Sequence, residues 1–473
     1  MVLKLPTVAL LRADLAAGRT TSRQLVDQCL ARIAEPAGEG PRAYMKVYAE
    51  LARAEADHSD RLRAAGVVRS AVEGLPVSVK DLFDVAGDVT LAGSKALEGA
   101  PPAAADAPAV ARLRAAGAVI VGRTGMVEFA FGGVGTNPHY GTPKNPFGRA
   151  DGGGDGAKGR IPGGSSSGAA VAVADGMCVM GLGSDTRGSV RIPAGLCGVA
   201  GFKPTQARVP RDGAFPLSYT LDSVGPLAPS VGCCAVFDAI LAGGAADGSA
   251  DAAAAAAAAP PPPARGLRLL RPECFAFDDL DAHVASSFER AVAALQAAGA
   301  DVTRAAAPCF DRAHALYAGG GFAGPEAAQI HRPLLAAHRA SYDPNVASRI
   351  EAGEGASAAD YVQLGFDRKR AIDEAAALLA PYDAMLLPTT PAAAPTIEAV
   401  GASSAAYASW NLKLLRNTGL VNILDGCAAT LPMHQEGEAP VGLMVAGMGG
   451  SDARVLAVAS AVEGVLGGPS ARL

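Results

Sequence analysis

The chain has 473 residues, of which 50% are hydrophobic but only 5% aromatic, so its core is built from small aliphatic side chains, and a disordered or fibrous protein is excluded. The 41 basic and 46 acidic residues are mixed along the sequence and give a formal charge of −5, which leaves no concentrated basic face for a phosphate backbone and argues against nucleic acid as a direct ligand. Length alone allows two to four ordinary domains or one large α/β domain. The eight cysteines lack CxxC spacing and point to reduced, mostly buried thiols rather than to a zinc site or a disulfide framework. No apolar stretch reaches the ~20 residues of a membrane span, and Met1 to Leu15 is too interrupted for a signal peptide. A cytoplasmic protein without a membrane partner is the expectation.

In chain order, residues 9–34 read as two helices. Leu10, Leu11 and Leu15 mark the first; Thr21-x-x-Gln24 forms a capping box before Leu25, Val26, Cys29, Leu30 and Ile33 at helical spacing. About residues 1–65 are expected to be helical scaffold. From Ala71 the pattern changes to short apolar runs between Gly and Pro, with strands predicted at Leu75 to Val79 and Ala118 to Val121, and a core at about residues 70–240. Residues 148–160 form a Gly-rich polar insert, expected to be a mobile loop; its GxGxxG match at Gly154, Gly156 and Gly159 has no strand before it and reads as chance. Residues 244–264, with eight consecutive alanines and four consecutive prolines, read as a surface linker. Beyond it, about residues 265–473 hold a predicted strand at Leu267 to Leu270, helices at Ala282 to Ala298 and Asp360 to Leu379, and a buried strand at Ala384 to Leu387. No internal repeat is present.

The most informative stretch is residues 161–205, where two Ser-containing, Gly-rich turns flank an apolar run. Such turns let backbone N–H groups converge on one point. A flexible linker would not alternate with Val171-Ala-Val173 and Val179-Met-Gly-Leu182, and no GxxxxGK[ST] is present for a phosphate loop. Ser166 is central in a formal GxSxG, without an Asp-then-His sequel. The seven histidines are isolated and are expected on surfaces or in loops.

Gly163-Gly-Ser165-Ser-Ser-Gly168, Gly183-Ser-Asp185-Thr-Arg187-Gly-Ser189-Val-Arg191-Ile-Pro193 and Gly74-Leu-Pro-Val-Ser-Val-Lys80-Asp81, with 24 residues between Ser165 and Ser189, together resemble the amidase signature family. The likeness continues through Thr136-Asn-Pro138, Gly201-Phe-Lys-Pro-Thr205 and Ala439-Pro-Val-Gly-Leu443. It implies one large α/β domain, a mixed twisted sheet covered by helices on both faces. It also implies hydrolysis of a carboxamide or ureido C–N bond in a small-molecule substrate, releasing ammonia or an amine, without metal or organic cofactor. A homodimer is compatible with it. In this reading Ser189 is the nucleophile, Ser165, held on a cis peptide bond, relays the proton, and Lys80 is the base. The backbone N–H groups of Thr186, Arg187, Gly188 and Ser189 form the oxyanion hole, and Ser166, Asp185 and Arg191 are supporting residues. Asp185 and Arg191 are an internal ion pair in the family; a solvated pair is their ordinary alternative.

The chemistry of Lys80 sets a condition. A lysine accepts a proton only when neutral, and its ordinary pKa of ~10.4 keeps it charged unless burial lowers it by roughly 3–5 units. The apolar Pro76 to Val79 favours that, whereas Asp81 would oppose it unless it points elsewhere. Taken singly, Lys80 would be a surface lysine and the serines turn residues; their co-occurrence in three segments carries the catalytic reading. Arg187 departs from the family, which has a small residue there; it either clamps a substrate carboxylate or pairs with a neighbouring acid. Asp425 and Cys427 lie where the family often builds its acyl pocket, or at a packed helix start, and Met126 to Gly135 is assigned to the leaving-group side by resemblance. The second functional reading is the glutaminase subunit of a tRNA-dependent amidotransferase, which the segment Arg416 to Cys427 resembles less than it does stand-alone amidases.

Overall fold

The short apolar runs spaced along the chain become the strands of one sheet. In the computed structural model, which describes residues 5–149, 159–244 and 248–467, they are β1 (Tyr44–Val47), β2 (Pro76–Lys80), β3 (Val119–Thr124), β4 (Met180–Asp185), β5 (Ala200–Lys203), β6 (Ser223–Ala228), β7 (Arg268–Glu273), β8 (Asp301–Ala306), β9 (Ala384–Pro388), β10 (Cys427–Pro432) and β11 (Gly442–Gly447). Their order is β1-β3-β2-β4-β6-β5-β10-β11-β9-β7-β8. β2 runs parallel to β3 and β4, the middle from β4 to β9 is antiparallel, and β9, β7 and β8 are parallel again.

Strand alternation sends successive side chains into different cores. Ala384 and Leu386 of β9 and Leu443 and Val445 of β11 join a cluster that extends along one face to Val77 and Val79 of β2. Met385, Leu387, Met444 and Ala446 face the other way, onto the helices Ala358–Leu379 and Ser404–Ile423. On that second face the β2–β4 end has its own cluster, in which Val119 and Val121 meet the helices Ser22–Ile33 and Ser167–Ala174. Both faces are covered, so β2, β3, β4, β9 and β10 are buried along their whole length. This is the single α/β domain with a mixed sheet that the resemblance implies.

The first two helices run Val8–Ala16 and Ser22–Ile33, the second opened by the Thr21–Gln24 capping box. The alanine run differs from expectation: residues 249–258 are a helix rather than a linker, with Ala250 and Ala254 buried in the core that also holds the helix Val231–Leu241. Alanine has the highest helix propensity, and its small side chain permits close approach: a Cβ on Gly232 would lie 3.1 Å from that of Ala257. Most of the Gly-rich insert, residues 150–158, lies outside the described residues. His331 departs from the expected surface placement; it is fully buried against Phe129, Phe215 and Tyr342, with its Nδ1 3.0 Å from the Tyr342 hydroxyl. All eight cysteines are unpaired, and all but Cys274 are buried. No described helix is long and apolar enough to cross a membrane.

Candidate active site

β2 and β4 are parallel neighbours, and their C-terminal ends deliver Lys80 and Ser184 to one point under the turn of residues 186–190. Lys80 is completely buried. Its Nζ lies 2.7 Å from Ser165 Oγ and 2.8 Å from Ser184 Oγ. Burial lowers its pKa from the ordinary lysine value to about 7, against the opposing pull of Asp185 and Asp222. Asp81 does not interfere, because it turns away to pair with Arg123 at 2.9 Å and to accept the Gly93 N–H at 3.0 Å.

Ser165 precedes the Ser167–Ala174 helix, and the Gly164–Ser165 peptide bond is cis. The segment is fixed from both sides: Gly164 N donates to Gly133 O, Val127 N to Ser165 O, and Ser166 N to Ser189 O at 3.2 Å. The last bond couples the two serine-bearing turns. Glycine is required at 188, where φ is +130° and a Cβ would lie 2.1 Å from Thr418 Oγ1.

Asp185 and Arg191 form a fully buried ion pair, with 2.8 Å between Arg191 Nη2 and Asp185 Oδ1. The same carboxylate accepts from Gly188 N at 2.8 Å, Val190 N at 3.1 Å and Asn422 Nδ2 at 2.9 Å. Burial acts to raise its pKa, but Arg191, Lys203 and Asn422 outweigh it and hold the carboxyl well below the usual range. The solvated-pair alternative is thereby removed. One expected oxyanion donor changes too: the Gly188 N–H is committed to Asp185, whereas those of Thr186, Arg187 and Ser189 take no acceptor among the described residues. Thr418 Oγ1 donates to Arg187 O at 2.7 Å and so fixes the peptide plane of the turn.

Ser189, Thr186 and Arg187 line a cavity of ≈ 440 Å³, with Ala130 to Gly132 on one side and Tyr317 and Arg349 on another. Arg187 has no acid within ion-pairing distance among the described residues. It lies instead on the Tyr317 ring, 3.7 Å from the centroid. Asp425 is not in this cavity: it is 3.9 Å from Arg368, nearly half exposed, on the turn that ends the Ser404–Ile423 helix. Cys427 is buried in β10, its thiol near Met448 O and Ser451. No group of His, Cys, Asp or Glu among the described residues has the arrangement of a metal site.

Three contributors escape a reading of the sequence. Ser184 sits inside the quoted motif, and only the parallel pairing of β2 with β4 reveals that it reaches Lys80. Asp222 accepts from Thr186 Oγ1 at 2.5 Å because β4 and β6 pair Asp185 with Ser223. Arg349 comes from the helix Pro344–Ala352, with no motif around it.

A sequence model of the family described as Amidase matches residues 24–456. Among characterised proteins, the chain is 36% identical over 451 residues to 2-amino-5-chloromuconic acid deaminase of Comamonas testosteroni, covering 94% of this chain and 93% of the relative. It is 32% identical over 488 residues to a glutamyl-tRNA(Gln) amidotransferase subunit of Synechococcus sp. strain CC9902, covering 97% of this chain and 96% of that one. A solved crystal structure of an amidase superposes with a TM-score of 0.82 at 32% identity, covering 97% of this chain and 99% of that one. With sequence match, fold and likeness to a known amidase extending over nearly its whole length, this chain belongs to the amidase family and is an amide-cleaving hydrolase.

Proposed function

We propose that the enzyme cleaves the C–N bond of a small-molecule carboxamide or ureido compound through an acyl-enzyme on Ser189. The observation that carries this reading is the buried Lys80, with a pKa near neutrality and its Nζ 2.7 Å from Ser165 Oγ. A neutral lysine there accepts a proton passed through Ser165 as Ser189 Oγ bonds to the carbonyl carbon. The N–H groups of Thr186, Arg187 and Ser189 receive the negative oxygen. As the tetrahedral intermediate collapses, the C–N bond breaks and the nitrogen leaves with the proton returned along Lys80 and Ser165. Water then attacks the Ser189 ester by the same path, releasing the acid and restoring the serine. The relative that acts on 2-amino-5-chloromuconic acid supports a small-molecule substrate.

Ser189→Ala should abolish ammonia or amine release, by at least ~10³-fold, while its unfolding transition stays that of the parent; undiminished turnover would refute the assignment. The second reading, a glutaminase subunit, is favoured by the amidotransferase relative, whose match takes in 97% of the chain. The chain purified alone decides between them: release of ammonia from simple amides supports the stand-alone enzyme, and activity on glutamine only with added partner subunits supports the other.

A further inference from the structure

The Ser189 cavity carries two guanidinium groups that the proposed proton path does not use. Arg187 lies over the Tyr317 ring, and its Nε is buried without a hydrogen-bond partner. Arg349 lies 4.2 Å from the centroid of Phe131 and donates from Nη1 to Phe131 O at 2.5 Å. Neither has a carboxylate within ion-pairing distance among the described residues. Asp343 acts on Arg349 only from farther away, and its carboxylate caps the helix Pro344–Ala352. Burial pushes both guanidinium pKa values down, and at Arg187 the like charge of Arg349 adds to the effect.

Cations withdrawn from water without counter-ions are costly, and Arg187 and Arg349 are both half-buried. Here both face the same ≈ 440 Å³ cavity as the proposed nucleophile. Their placement over aromatic rings restricts both side chains, which lets an arginine meet a two-oxygen planar anion at little further loss of side-chain freedom. Elsewhere the cavity wall is apolar, supplied by Leu221, Leu412 and Leu415. We infer that the cavity selects amides whose substrate also bears a carboxylate, and that Arg187 and Arg349 are the specificity-determining cations that hold it. The inference deepens the amidase reading and rests on it for the identity of the bond that is cut.

The test measures binding apart from turnover. Malonamate, succinamate and glutaramate, each beside its methyl ester, are titrated calorimetrically into the Ser189→Ala protein. The best-fitting acid should bind roughly 10- to 100-fold more tightly than its ester. Arg187→Gln and Arg349→Gln in the same background should each bring the acid-to-ester ratio close to one, and Arg349→Lys, which keeps charge without the fork, should fall between. Acids that bind no better than their esters overturn the inference before either arginine variant is made, and a ratio that survives both Gln substitutions overturns it as well. Parallel turnover by the unsubstituted enzyme separates the two claims. Equal hydrolysis and binding of acid and ester overturn the anion subsite and leave the amidase reading standing. Acid-selective binding with no hydrolysis of any amide supports the subsite and removes Ser189 from its assigned role.

Discussion

Lys80 makes two hydrogen bonds, and only one of them lies on the proposed proton path. Ser184 Oγ takes an N–H of the ammonium or amine, which turns the lone pair of the neutral lysine toward Ser165. Two outcomes follow for the pH profile. With the pKa of Lys80 lowered to about 7 by burial, the base is protonated and idle below that value and free above it; log(kcat/KM) should therefore rise with pH, bend near 7 and level off. Ser184→Ala removes an acceptor that favours the charged form, so the bend should move to lower pH while kcat falls by roughly 10- to 100-fold. A fall in kcat with an unmoved bend would make Ser184 a packing residue only. Lys80, Ser165 and Ser189 are legible because each sits in a short Gly-rich or strand-end segment whose chemistry is local. Ser184, Asp222 and Arg349 are not, because what gives each its role is a strand pairing or a helix arriving from far along the chain. Arg187 stands between: its departure from the family is visible in the sequence, its ring partner Tyr317 is not.

At the scale of elements, the turn between β4 and the Arg191–Cys197 helix is organised around a single carboxylate. Asp185 binds two backbone N–H groups of the turn, the guanidinium at the start of the helix, and Asn422 from the Ser404–Ile423 helix. Asp185→Asn keeps the shape but leaves Arg191 as an uncompensated buried charge. Breaking such a pair costs about 3–5 kcal/mol, which denaturant unfolding should record together with loss of amidase activity; stability within ~1 kcal/mol of the parent would show that the pair is not what holds the turn. Elements with caps and regular apolar spacing, such as Ser22–Ile33, are predictable because their signals lie within the element. The alanine-run helix is harder, since alanines give no amphipathic pattern; what places it is contact with the Val231–Leu241 helix, a tertiary fact.

Across the whole molecule, burial also governs the response to acid. His331 has its pKa lowered from 6.5 to about 4 by burial among aromatic rings. Unfolding frees it to take a proton at its ordinary pKa. Its contribution is thus intact above about pH 6.5 and is lost progressively as pH falls toward 4, by up to ~3 kcal/mol. His314 is held near the same value by burial and Arg187, so His331→Phe should flatten part of the decline seen by denaturant unfolding between pH 7 and 4. An unchanged slope would assign the acid lability to other groups.

β1 to β6 occupy one half of the sheet and β7 to β11 the other, joined along the β5–β10 seam. Lys80, Ser165, Ser184 and Ser189 all belong to the first half, whereas Tyr317, Arg349 and Leu415, which close the cavity, arrive with the second. The proposed proton path thus lies on the first stretch of polypeptide, whereas the cavity draws Arg187 from that stretch and Tyr317, Arg349 and Leu415 from the second. Tyr317, Arg349 and Leu415 form a wall that can be reshaped apart from Lys80 and Ser165, whereas Thr418 and Asn422, on the same second stretch, are tied to the Ser189 turn and hold the two halves in register.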